Sequence, residues 1–67
     1  MIVPHTTTKR TTYSNPENGV EAIVWNTDSG THPFRVVFRD TDAGQTVGVK
    51  DFRTLEHADR DAQSFVA

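Results

Sequence analysis

At 67 residues without a cysteine, the chain has room for one small domain spanning 1–67. Disulfides and thiolate metal sites are excluded, and a stability of only a few kcal/mol is expected. The formal charge of −2 is too small to select a partner. No apolar run approaches the roughly 20 residues of a membrane span, and Met-Ile-Val-Pro-His lacks the basic flank and apolar core of a signal peptide, so a cytoplasmic protein is expected.

Residues Ile2 to Thr12 are rich in threonine, whose branched Cβ favours extended backbone. The segment Thr6 to Tyr13 reads as an edge strand, with residues 1–12 as a mobile arm the other reading. Ser14-Asn-Pro-Glu-Asn-Gly19 is a turn cluster. Val20 to Asn26 is the next strand. It is apolar on both sides, with Val20, Ala22 and Val24 on one face and Ile23 and Trp25 on the other, so its pattern does not decide which face is covered. Thr27 to Pro33 is a second loop.

From Phe34 the pattern is clearer. Phe34, Val36 and Phe38 alternate with Arg35, Val37 and Arg39, and Val47 and Val49 alternate with Thr46, Gly48 and Lys50, a period of two in each case. Thr41 to Gly44 supplies turn chemistry between them, with Gly44 free to take positive φ. Thr54 is a good N-cap, although His57 stands where a full capping box would place Glu or Gln. Leu55, Ala58, Ala62, Phe65 and Val66 then recur as one helical stripe. Glu56 and Arg60 form an i,i+4 pair worth ~0.3 kcal/mol. A helix of about 12 residues is marginal alone and must lay its stripe on the sheet. The expected fold is α+β: a meander of three to four antiparallel strands with one C-terminal helix on one face. The Phe/Val sides of the last two strands would meet that helix, leaving Arg35, Arg39, Thr46 and Lys50 on the open side.

Candidate catalytic and metal sites do not assemble. His5, His32 and His57 lie far apart, without ligand spacing. Asp40-x-Asp42-x-Gly44 has the start of a calcium loop, but Gln45 and Asp51 occupy the positions that need Gly and Glu. Ser14, Ser29 and Ser64 fall in turns or on the helix surface, with no base and orienting group implied beside them. A one-layer sheet with one helix offers little concavity. The reading is therefore non-enzymatic, with no cofactor, metal or small-molecule substrate.

What remains is surface chemistry. Trp25 is either a core residue under the helix or, on the open face near Arg35 and Arg39, a stacking or hot-spot group. The open face is expected to be basic, through Arg35, Arg39 and Lys50 with Lys9 and Arg10 as further candidates. The helix exterior and turns are expected to be acidic, through Asp40, Asp42, Asp51, Glu56, Asp59 and Asp61. A basic face suits phosphates, whereas an acidic one can imitate a phosphate row and occupy another protein's nucleic-acid groove.

Two resemblances bear on that choice. Phe52-Arg-Thr54-Leu-Glu56-His-Ala58-Asp-Arg-Asp-Ala62 resembles the F-x-T-x-E-x-A-x-x-x-A run that closes AP2-like DNA-binding domains, where a three-stranded sheet precedes the helix. The likeness covers the part of the chain from Phe34 on. It implies DNA contact through Arg35, Arg39 and Trp25, while net acidity and Val37 between the arginines depart from that family. In size, charge and lack of catalytic residues, the chain also resembles the small accessory proteins of bacteriophages, anti-CRISPR proteins among them. That likeness implies a stoichiometric inhibitor in the host cytoplasm. It would block a protein complex that handles nucleic acid, by contact through the acidic, DNA-mimicking surface.

Overall fold

The computed structural model describes residues 2–67. Strands β1 Val3–Thr7, β2 Arg10–Asn15, β3 Val20–Asn26, β4 Phe34–Asp40 and β5 Gln45–Phe52 are followed by helix α1 Leu55–Val66. The five strands form one antiparallel sheet in the order β1-β2-β3-β4-β5. The α+β meander with one C-terminal helix is as expected, but the strand count is five. The N-terminal segment is a hairpin, β1 paired with β2 from Val3↔Ser14 to Thr7↔Arg10. Its turn, Thr8-Lys9, uses no positive φ, so the glycine or asparagine that betrays a primed hairpin turn is not needed there. Pro4 lies on this edge strand, where a missing N–H costs no ladder bond with a further strand.

The helix covers one face of the sheet. Ala58, Ala62 and Val66 are buried beneath it against Ala22, Val24, Val36 and Phe38. Alanine on both surfaces lets α1 approach β3 closely, so the covered face of β3 is the Val20–Ala22–Val24 side. Phe65 completes the contact, its ring centroid 4.9 Å from that of Phe38 at 57°. Leu55, expected in the stripe, is instead 48% exposed, because the first helical residue overhangs the sheet. The cap is as expected: Thr54 Oγ1 accepts from His57 N at 3.3 Å. At the other end there is no basic residue in the last turn. Asn15 Nδ2 donates to Val66 O at 2.7 Å and Asn18 Nδ2 to Ala67 O at 3.3 Å, so side-chain amides of the β2–β3 turn satisfy the terminal carbonyls.

The strand β5 departs from expectation in a consequential way. Near the β4–β5 turn the register is Asp40↔Gln45 and Arg39↔Thr46, then a bulge shifts it so that Phe38 faces Gly48, Val37 faces Val49 and Val36 faces Lys50. Val47 is the extra residue. A one-residue slip moves every later side chain to the opposite face. Lys50, expected on the open face, therefore lies on the helix side, with Nζ 3.6 Å from Asp61 Oδ2. Val49, expected under the helix, lies on the open side and is 52% exposed. The slip is favourable where it occurs. Gly48 leaves space beside the Phe38 ring, with an added Cβ coming to 3.8 Å from Phe38 Cδ2, and Phe52 reaches the helix-side cluster beside its partner Phe34.

The turns are tied together. Asp40 Oδ1 accepts from Asp42 N and Ala43 N at 3.0 and 3.1 Å, holding the Thr41–Gly44 loop, and Thr41 N donates to Gly19 O at 2.8 Å. Gly19 has φ +64° and stands so close to Asp42 that an added Cβ would fall 2.2 Å from the carboxylate. Glycine meets the positive φ without strain and leaves the Asp42 carboxylate where it is.

Candidate interaction surface

The face of the sheet turned away from α1 is covered by no element of the described chain. The strand registers place its side chains in three rows running across the strands. One row holds Thr7, Arg10, Trp25, Arg35 and Asp51. The middle row holds His5, Thr12, Ile23, Val37 and Val49, and the third holds Val3, Ser14, Glu21, Arg39 and Thr46. An apolar strip thus runs between two rows bearing charge.

Trp25 is on this face, 39% exposed, which settles its ambiguity against the core. The Arg10 guanidinium sits 5.1 Å from the indole centroid, within range of a cation–π contact. Arg35 Nε donates to Asp51 Oδ1 at 2.9 Å. This bond and the attraction behind it raise the Arg35 pKa, and the same hydrogen bond holds the Asp51 carboxyl below the usual carboxylate range. Arg39 Nη1 lies 3.5 Å from Glu21 Oε1, while its Nε is enclosed without a hydrogen-bond partner. The arginines are thus held in place, two of them by carboxylates.

Of the sequence-predicted basic set, Trp25, Arg35 and Arg39 come together and Lys50 does not. Arg10 joins them, whereas Lys9, in the β1–β2 turn, pairs with Asp28. The acidic set is dispersed. Asp40 ends β4, Asp42 is in the β4–β5 turn, and Asp51 is on the open face. Glu56 pairs with Arg60 at 3.4 Å. Asp59 accepts from Tyr13 Oη at 3.1 Å and Asp61 pairs with Lys50, so these two leave opposite flanks of α1, toward β2 and β5. Val37 lies with Arg35 and Arg39 as the alternation of β4 implies, and Ile23 lies with Trp25 as the alternation of β3 implies; the residue missing from the expected open face is Val49, which the bulge carries there.

Among the described residues, no group of three or more His, Asp or Glu is placed to hold a metal ion, and no helix is long and apolar enough to cross a membrane. A solvent-open groove between β5 and α1, floored by Phe38, Gly48 and Phe65 and edged by Lys50 and Asp61, presents one ion pair but no convergent polar set. Neither a protein-family model nor a curated protein nor a solved structure matches the chain.

Proposed function

We propose that the protein is a non-catalytic interaction module that acts by covering a surface of another protein with the open face of its sheet. One observation carries this reading: the aliphatic strip of Ile23, Val37 and Val49 is flanked by two rows, one of which holds the exposed Trp25, and Arg35 and Arg39 in those rows are already paired with carboxylates. Protein interfaces have that layout, an apolar centre with Trp and Arg anchors inside a polar rim. Such a module works by occupancy, as small stoichiometric inhibitors do, and the class of target proposed is a host complex that handles nucleic acid. The DNA-imitating form of this proposal would require the acids to act as one field. Their dispersal and internal pairing make the sheet face the stronger contact surface.

A second reading, direct nucleic-acid binding, is favoured by Arg10, Trp25 and Arg35 standing in one row across three strands. Stacking on Trp25 beside guanidinium groups is how single strands are held. Against it, Arg35 and Arg39 would have to leave carboxylates to reach phosphates. A salt-titrated gel shift with random duplex and single-stranded DNA separates the two. The protein-contact reading expects no shift at moderate salt. A tight shift that weakens steeply with salt would overturn it in favour of the second.

A further inference from the structure

We infer that one occupant of the open face is a second copy of this chain, packed face to face with its strands aligned. The inference rests on the reading of that face as a contact surface and names a partner for it.

The argument is one of charge and register. Consider a half-turn about an axis parallel to the strands, passing between β3 and β4 just above the open face. It exchanges β3 with β4 and β2 with β5 while keeping each row level with itself. Because Trp25 pairs with Arg35, Ile23 with Val37 and Glu21 with Arg39 across β3 and β4, each of these residues then faces the other member of its pair in the second copy. Trp25 meets a guanidinium, Ile23 meets Val37, and Glu21 meets the opposite charge of Arg39. One strand further out, Arg10 of β2 is level with Asp51 of β5, so that contact also joins opposite charges. Every charged position in the patch finds a favourable partner, and the middle row closes with Ile23 against Val37 at its centre and Thr12 against Val49 on either side.

The other face-to-face half-turn, about an axis running across the strands, would set Arg35 on Arg39 and Trp25 on Glu21. The side-chain pattern therefore selects one orientation and rejects its alternative. Aligned packing of two sheets about 10 Å apart is a common solution for twisted antiparallel sheets. Four strands spaced about 4.8 Å and three rows spaced about 6.8 Å give a footprint of roughly 390 Å². A patch of that size is smaller than the roughly 800 Å² per partner of a standard interface and belongs with the weak, transient ones. Such an interface yields a reversible dimer, which a heterologous target of the same face would compete with. The dimer leaves both helices outermost.

The test is sedimentation equilibrium of the full chain from about 1 µM to about 1 mM, the range in which an interface of this size associates. The expected result is a reversible monomer–dimer equilibrium. Glu21→Arg and Arg39→Glu, each alone, place like charges across the interface twice and should weaken association about tenfold or more. Equimolar mixing of the two variants should restore it. In the mixed dimer the two altered positions face each other with opposite sign, and so do the two unaltered ones. A merely structural role for the Glu21–Arg39 pair predicts no rescue by mixing. Val49→Asp, at a position 52% exposed in the monomer, should abolish the dimer with an unchanged far-UV circular dichroism spectrum. A wild type that stays monomeric throughout, or mixing that yields no more dimer than either variant alone, overturns the inference. Failure of the dimer is distinguishable from failure of the underlying reading. In the first case Trp25→Ala still weakens capture of a heterologous partner, and in the second it changes no binding at all.

Discussion

Gly48 stands directly opposite Phe38 across the β4–β5 pair, and this placement governs what both faces of the sheet carry. With glycine there, the Phe38 ring can lie against Phe65 on the helix side. With Val47 spent as the bulge, Val49 turns outward to join Ile23 and Val37, and Lys50 turns inward to Asp61. Gly48→Ala should be neutral or stabilising by ~0.5 kcal/mol, because its Cβ meets Phe38 at an ordinary 3.8 Å and strand glycine is entropically costly. Gly48→Leu should cost about 1–3 kcal/mol by overpacking the ring. Urea unfolding of the two variants checks this, and equal losses would contradict it.

Asn15 is the one buried polar residue of the described chain, and it joins the β2–β3 turn to the end of α1. Its amide donates to Val66 O, and its Oδ1 accepts from Glu17 N at 3.2 Å. Asn15→Ala should destabilise by about 1–3 kcal/mol, since it leaves groups unsatisfied. Asn15→Asp should be worse at neutral pH, where a carboxylate would face the negative end of the helix, and should recover as the medium is acidified. Chemical denaturation at pH 7 and at pH 4 would measure both.

Two groups fix the signs of the pH limbs. Tyr13 has its pKa raised, first by partial burial and then by its hydrogen bond to Asp59. Its contribution is complete below the ordinary tyrosine value of about 10 and is lost as pH rises through the folded value. Asp51 has its pKa lowered, first by the Arg35 hydrogen bond. Its contribution is present above the ordinary carboxylate value of about 4 and disappears as pH falls through the folded value. Thermal melts should show Tyr13→Phe flattening the alkaline limb and Asp51→Asn flattening the acid limb. Limbs left unchanged by these substitutions would contradict the assignment.

Trp25 is 39% exposed and keeps part of its ring against Arg10, so Trp25→Ala should cost the isolated fold about 1–3 kcal/mol without unfolding it. The same change should weaken any association through the open face by about 2 kcal/mol or more, as expected of an aromatic anchor. Denaturation and binding measured on one preparation separate the two effects. A large stability loss with unchanged binding would place Trp25 in a structural role.

Much of this architecture is legible in the chain. The extended run of β3, the period-two run of β4, the Thr41–Gly44 turn and the Thr54-capped helix follow from local chemistry, and each is found where its residues place it. Two features are not written locally. The Thr8-Lys9 turn needs no left-handed residue, so its threonines read as continuous strand. The β5 bulge accompanies the packing of Phe38 against Phe65, a contact between segments far apart in sequence; Val47 keeps to the helix side as its alternation implies, whereas Val49, beyond the slip, is carried to the open face. The candidate surface was half visible for the same reason. Arg35 and Arg39 follow from the parity of β4, whereas Trp25 lies on a strand apolar on both sides and is placed only by the packing of α1 on the other face, and the placement of Lys50 and Val49 depends on the bulge.

The chain has a single tryptophan, and it lies at the centre of the account. The most direct measurement is therefore the fluorescence of Trp25, with acrylamide quenching, in dilute protein, across rising protein concentration and upon addition of a captured partner. An open-face contact surface predicts red-shifted, readily quenched emission in the dilute monomer, moving to shorter wavelength and becoming protected as the face is covered. Emission already blue and protected in the dilute monomer, or unmoved when association is demonstrated by mass, would contradict it.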